Sequence, residues 1–409
     1  LDIITHYSFT FENRFFVSLC NDMREADYME KITASRSKRI DSLTGARFIA
    51  IMMIVINHFE FLGQYGKLGE IYLRFFHSAT IGVDFFFMLS GFGMMLSSIK
   101  REPNAKANSI NVKKLIAFAQ RHVSKIYPIY IMMLILGIPY YLMVGYFEYG
   151  KKVAAGVLQA AAYLIMDMTL LQSCTGITNL SHSLNGVSWF LSSLFCIYLV
   201  SPIVMKWLKL HIKNEKQVIF GLGVSIGCSF ILAIILTIIE AHTLFDDLCY
   251  GSPYRRVFYV IAGMLIAQLY SFRKNVCLYK KSYVENGKME NICILLTVLY
   301  YFLRNTIYET IGSFIYISDM LIVAVDLYLL ALGKGFFSGL LKNKYMVYLG
   351  NISMYIFITH WLIRMYVDFV IQRMGIGSIA VALSEIIIIL ILTFVISVIM
   401  ERLRTRQNK

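Results

Sequence analysis

The sequence predicts an all-α fold: a polytopic transmembrane helical bundle with about ten spanning helices. Three observations carry that expectation. Hydrophobic residues make up 58% of the 409, and the mean hydropathy is +0.63. Only 16% of residues are charged, and most of those sit between long apolar runs. The runs themselves are long: Val218 to Ile239 is 22 residues without a charge, and Ile386 to Met400 is nearly as plain. About 20 residues of helix cross a hydrocarbon core of about 30 Å. Only helices or closed barrels satisfy every backbone group there. These runs are too long and too uniformly apolar for barrel strands.

In chain order, the apolar runs fall at 46–63, 75–98, 126–147, 187–208, 217–239, 257–271, 290–304, 313–333, 345–371 and 378–400. An eleventh, 153–171, is ambiguous, and charge decides it. Lys and Arg concentrate in cytoplasmic loops. With ten crossings and both termini inside, the cytoplasmic segments hold 30 of the 39 Lys and Arg, and the outer loops hold 8. Letting 153–171 span would reverse every later loop and lose the bias. Residues 148–186 are therefore expected outside, with 153–171 at the surface or dipping in part-way. Asp167 within that run fits a partial entry better than a full crossing.

The net charge is +14 and the isoelectric point about 9.3. In this setting the basicity marks cytoplasmic loops, and nucleic acid is not an expected partner. The seven cysteines include no CxxC pair. Cys196, Cys228 and Cys293 lie inside apolar runs and read as small apolar residues. The first 45 residues are polar and mixed in charge, without a cleavable signal pattern. Leu1 leaves the true start open. The expected organisation is an N-terminal cytoplasmic segment (1–39), a transmembrane domain (40–401) and a basic cytoplasmic tail (402–409).

Ionisable groups inside lipid are functional candidates, because each costs a few kcal/mol on insertion scales. The first run carries Arg47 and His58. Eleven residues are three helical turns, so the two lie on one face, about 16 Å apart along the axis. Arg47 then sits at the cytoplasmic boundary and His58 past mid-membrane. A neutral imidazole is the cheapest acid–base group to hold at that depth. The bland alternative is a packing His with a hydrogen-bond partner.

The second run holds Asp84, a carboxylate in need of a partner; His58, Arg47 or water are the candidates. Gly82, Gly91 and Gly93 with Ser90 allow close helix approach. Arg121 and Lys125 open the third run on one face, four residues apart, with Pro128 in its first turn. They read as a phosphate clamp or as positive-inside anchors. His360 and Arg364 share a later face, where either Asp319 or Asp326 is a partner for Arg364. Trp189 sits at the outer boundary, where Trp is common anyway. No GxSxG elbow, P-loop or HExxH is present, and no metal site is expected.

Together these segments resemble the acyltransferase family 3 of membrane proteins, from about Ile40 to Glu401. The stretch Leu43-Thr-Gly-Ala-Arg47 followed by His58 resembles its R-x10-H signature. Gly82 to Phe92 resembles GVDxFFxxSGF, and Arg121 to Tyr130 its R…P.Y segment. Ser188-Trp-Phe-Leu to Pro202 resembles the WFL…Y…P form found in part of the family. Arg255 or Arg256 with Gly263-Met264 resembles R…F..GM. Leu349 to His360 resembles LG.iS…lY..H. Ser192, Ser193 and Leu194 stand where another branch carries a Glu, so no carboxylate is carried over there.

The resemblance implies O-acyl transfer, commonly acetyl, from cytoplasmic acyl-CoA as donor substrate to a hydroxyl of a surface glycan or its lipid-linked precursor. No permanently bound cofactor is expected. Arg47, Arg121 and Lys125 would hold the donor phosphates, His58 would deprotonate the acceptor, and Asp84 would orient or tune His58. Trp189, His360 and Arg364 would face the acceptor. An acyl-histidine intermediate stays open. Some relatives carry a fused extracellular hydrolase-like domain; here a separate extracytoplasmic partner replaces it or none is needed. Membrane lipid is the remaining expected partner. The main rival is a transporter or flippase for a lipid-linked sugar, which accounts equally for intramembrane charge. A sensor or scaffold would tolerate substitution at Arg47 and His58.

Overall fold

The computed structural model describes residues 39–101, 111–147, 150, 153–273, 280–375 and 377–407. The chain divides into two units, Leu1–Ile40 and Asp41–Lys409. The expected N-terminal segment lies outside the described residues up to residue 38. The second unit is all α among the described residues. Its helices are α1 (Asp41–Asn57), α2 (Gly66–Phe75), α3 (Thr80–Arg101), α4 (Val112–Val123), α5 (Tyr127–Phe147), α6 (Val153–Met168), α7 (Thr178–Ser181) and α8 (Ser188–His211). There follow α9 (Glu215–His242), α10 (Pro253–Arg273), α11 (Lys280–Ile311), α12 (Ile315–Leu332), α13 (Phe336–Leu341), α14 (Lys344–Met374) and α15 (Ile379–Gln407). The expected basic tail is therefore helical as far as Gln407, as a continuation of α15.

Among the described residues, seven helical stretches are long and apolar enough to cross a membrane: Gly66–Arg101, Tyr127–Phe147, Ser188–His211, Glu215–His242, Glu285–Leu332, Lys344–Met374 and Ile379–Arg406. The ten expected runs all coincide with helices, but three do not stand as separate stretches. The first is α1, which has only 17 residues. The second is α10, whose apolarity is diluted by Arg255 and Arg256. The third reflects α11 and α12, which are joined through a short 3-10 turn at Gly312–Phe314 and merge into one stretch.

The core forms where α3 lies along α10 and α1 along α14. The α3–α10 seam closes on glycine. A Cβ on Gly91 would meet the Val260 carbonyl oxygen, and one on Gly263 would meet that of Met88. Small residues at such seams let helix backbones touch, which is how helices associate in lipid. Gly93, expected on the same seam, faces open space instead. By contrast, α9 and α15 turn most of their Ile, Leu and Val outward, as lipid-facing helices do.

The ambiguous run is α6, and the chain doubles back after it. It descends antiparallel to α5: Tyr163 packs on Tyr141, with ring centroids 5.6 Å apart. At its end, Tyr127 Oη donates to the Met168 carbonyl at 2.8 Å and Tyr130 Oη to that of Asp167 at 2.8 Å. Helix α6 thus ends opposite the first turn of α5. The chain then crosses to α8, where Ser173 N donates to Ser192 Oγ at 3.1 Å. It climbs back to the start of that helix at Ser188. Cys174 and Cys196 meet at this crossing, Sγ to Sγ 3.0 Å, so Cys196 is more than an apolar filler.

Candidate active site

Helix α1 stops at Asn57, and a tight turn closed by His58 N donating to the Val55 carbonyl (3.1 Å) places His58 just past the end. Asn57 fixes that end, because its Oδ1 accepts from Ala79 N at 2.9 Å, tying it to the entry of α3. On the neighbouring α14, His360 is buried and its Nδ1 lies 3.0 Å from the Ile356 carbonyl oxygen. His58 Nδ1 lies 3.0 Å from His360 Nε2. These two contacts assign the tautomers. A carbonyl only accepts, so His360 Nδ1 carries the hydrogen and the neutral ring offers Nε2 as an acceptor. His58 Nδ1 must then be the donor, which leaves His58 Nε2 with a bare lone pair. Trp361 packs edge-on against His58, with centroids 4.8 Å apart, and holds the ring.

His58 opens on a cavity of about 280 Å³. Its walls bring Ile54 and His58 from the end of α1 together with Val83, Trp189, Phe190 and Trp361 from α3, α8 and α14. Polar groups come from the connections at this end: Glu60, His77 and His182. The volume suits a sugar-sized group better than a whole nucleotide. Trp189, expected to face the acceptor, is a buried part of the wall, with Tyr250 at 5.1 Å between centroids.

A second cluster lies toward the other end of the bundle. Arg47 is within electrostatic reach of the Tyr198 hydroxyl on α8, which also bonds Ser90 of α3. The His122 ring of α4 packs on Tyr198, with centroids 5.0 Å apart, and Arg101 and Arg121 both act on it electrostatically. Arg47, Ile51, Ile54 and His58 form one row along α1, with Ile51 and Ile54 buried. Tyr198 stands two turns from Phe190 on α8, and Ser90 two turns from Val83 on α3. Three helices thus run from the basic cluster to the cavity.

Residues 40–402 match the family described as "Acyltransferase domain", nearly the whole length of the chain. The chain belongs to this acyltransferase family. Over 172 residues it is 27% identical to Acyltransferase MdmB of Streptomyces mycarofaciens. That match covers 41% of this chain and 40% of that protein. No solved structure matches. The cavity beside His58 is therefore the candidate active site of this family member.

Of the residues singled out from sequence, the fold brings His58, His360 and Trp189 together, with Arg364 over Trp361. Arg364 Nη2 lies 3.9 Å from both Glu60 Oε2 and Asp368 Oδ2, and its guanidinium caps the Trp361 ring at 5.2 Å. The expected pairing of Arg364 with Asp319 or Asp326 is wrong. Asp319 forms a two-pronged bond with Arg304, with Nη2 to Oδ2 at 2.6 Å and Nε to Oδ1 at 2.9 Å. Asp326 lies against Thr297.

Asp84 does not reach His58, whose Nδ1 is already taken by His360. It pairs with Arg256, and both side chains are fully buried. Arg256 also donates from Nε to the Tyr250 carbonyl at 3.0 Å and lies among the rings of Phe87, Trp189, Tyr250 and Tyr259. Asp84 is therefore structural: it neutralises the cation behind the cavity wall. Arg121 and Lys125 are both exposed, but the helix breaks between them. Arg121 lies in the last turn of α4, and Lys125 sits in the turn before α5. Pro128 does fall in the first turn of α5.

Sequence reasoning overlooked His77 and His182. His77 Nδ1 donates to the Asn57 carbonyl at 3.2 Å and braces the end of α1. His182 Nδ1 faces Asp247 Oδ2 at 3.7 Å, and burial pushes the Asp247 carboxyl up to about 7. Both histidines lie in connections without hydrophobic periodicity, so only their residue type marks them.

Proposed function

We propose that the chain transfers an acyl group, acetyl as the simplest case, from cytoplasmic acyl-CoA to a hydroxyl of a surface glycan or its lipid-linked precursor. His58, which lines a sugar-sized cavity and whose Nδ1 is held by His360, carries this reading. The acceptor oxygen attacks the thioester carbonyl while its proton passes to His58 Nε2. The carbon–sulfur bond then breaks and the CoA thiolate recovers the proton from His58. A thioester is already activated, so a positioned base is the main requirement, and such a base contributes about 10²–10⁴-fold. His360 Nε2 accepts from His58 Nδ1 throughout and favours the imidazolium as it forms.

Arg47, with Arg101 and Arg121 around Tyr198 and His122, supplies cationic donors suited to the nucleotide phosphates of the donor. Lys125 follows in the next turn. The pantetheine arm would run along the row from Arg47 to His58. The orientation with Arg47 toward the cytoplasm gains support from the buried arginines. Arg255, Arg256 and Arg304 are core residues, not loop charges. Without them, the outer loops hold 5 Lys and Arg against 30 in the cytoplasmic segments. The protein would then sit in the cytoplasmic membrane with both termini inside.

The test is His58→Ala in membrane vesicles, read as thiol release from acetyl-CoA and acyl incorporation into surface glycan by mass spectrometry. The expected result is loss of both at an unchanged protein level. Normal transfer by this variant would sink the reading. Movement of a lipid-linked sugar without thiol release would favour transport instead.

A further inference from the structure

We propose that His182, backed by Asp247, binds the acceptor hydroxyl in the cavity and sets it against His58. This rests on the reading of His58 as the base. His182 lines the same cavity and lies within electrostatic reach of His58. It belongs to the connection between α7 and α8, at the end of the bundle opposite the Arg47 cluster. If the donor enters from Arg47, the groups on these connections face the acceptor.

The pair is held in place but left incomplete. Asp246 N and Asp247 N both donate to the Gly176 carbonyl at 3.0 Å, and Thr178 N donates to Asp246 Oδ1 at 2.7 Å. These bonds stitch the connection before α8 to the one before α10. Asp247 Oδ1 accepts from Gly251 N at 2.9 Å. Asp247 Oδ2 and His182 Nδ1 are buried, 3.7 Å apart, and neither has a hydrogen-bond partner. His182 thus turns Nδ1 to Asp247 while its ring lines the cavity. Two neighbouring polar groups are committed: Asn57 Oδ1 holds Ala79 N, and His77 Nδ1 holds the Asn57 carbonyl.

The chemistry selects the ligand class. With Asp247 ionised, His182 Nδ1 donates to it and Nε2 presents a lone pair. With Asp247 protonated, the carboxyl donates to Nδ1 and Nε2 presents an N–H. Burial brings Asp247 up to about 7, so both states are populated near neutrality. A hydroxyl both donates and accepts, and so satisfies either state. A polyol such as a sugar fits, with one hydroxyl on His182 and its neighbour on His58. The proton balance of the transfer is unchanged, because His182 takes and gives none.

The experiment uses the full chain in membrane vesicles, acetyl-CoA as donor and methyl glucoside as the acceptor probe. Thiol release is followed while each substrate is varied. His182→Ala is expected to raise the KM for the glucoside about tenfold, the size of a lost hydrogen bond, and to leave that for acetyl-CoA unmoved. His182→Gln and Asp247→Asn, which keep polar groups in place, should raise it less. Thermal unfolding of each variant checks folding. An unmoved acceptor KM in all three, or equal rises for donor and acceptor, overturns the proposal. So does a wild-type protein whose thiol release the glucoside does not stimulate. Normal transfer by His58→Ala would instead remove the base assignment, while a selective acceptor effect at His182 would stand.

Discussion

The imidazoles of His58 and His360 lie 3.0 Å apart, nitrogen to nitrogen, although 302 residues separate them in the chain. With Nδ1 of His360 held by the Ile356 carbonyl, the contact leaves one arrangement of hydrogens for the neutral pair. With His58 as the proposed base, His360 acts as a positioning residue: its contact assigns the hydrogen of the His58 ring to Nδ1. His360→Ala should lower kcat by about tenfold to a hundredfold, part of what a positioned base contributes. His360→Gln places an amide oxygen near the old Nε2 and should recover a good part of that loss. Equal activity in the two variants would show that His360 only fills space.

Asp84 and Arg256 form a buried pair that holds the rear of the cavity wall. Removing one partner of such a pair strands a charge and costs about 3–5 kcal/mol. Arg256→Met and Asp84→Leu should each lower the thermal midpoint in detergent sharply. The double variant should recover most of the loss, because no charge is left alone. Additive losses would mean that each residue acts separately.

Gly91 and Gly263 let α3 and α10 touch. Gly91→Ala places a methyl on the Val260 carbonyl, and overpacking of this kind costs about 1–3 kcal/mol. Gly93→Ala, two residues on and facing open space, should change stability by less than about 0.5 kcal/mol. Unfolding midpoints of the two variants, measured side by side, check the contrast.

Arg47 is expected to act on the donor alone. Arg47→Gln should raise the KM for acetyl-CoA about ten- to a hundredfold, in line with a lost charge-assisted hydrogen bond. The acceptor KM should not change. A variant that instead alters only the acceptor term would reverse the assignment of the two ends.

Much of the fold was legible because lipid imposes a simple rule on the chain. Runs of apolar residues must be helices, and all ten expected runs are. Arg47 and His58 were legible for the same reason, since an ionisable group stands out against an apolar helix. Their partners were not. Asp84 pairs 172 residues away with Arg256, and Asp319 with Arg304 on the adjacent helix. Nothing in local spacing selects those arginines over Arg364. His182 and Asp247 lie in polar connections, where residues of their kind are ordinary, and only the folded cavity distinguishes them.

The descent of α6 beside α5 and its return to Ser188 have an evolutionary corollary. An excursion that starts and finishes on the same face adds no net crossing. Its length and composition can drift without inverting anything downstream, and His182 rides on the returning limb. On the proposed role of His182, that limb could therefore change the acceptor contacts without disturbing the helix that carries Arg47.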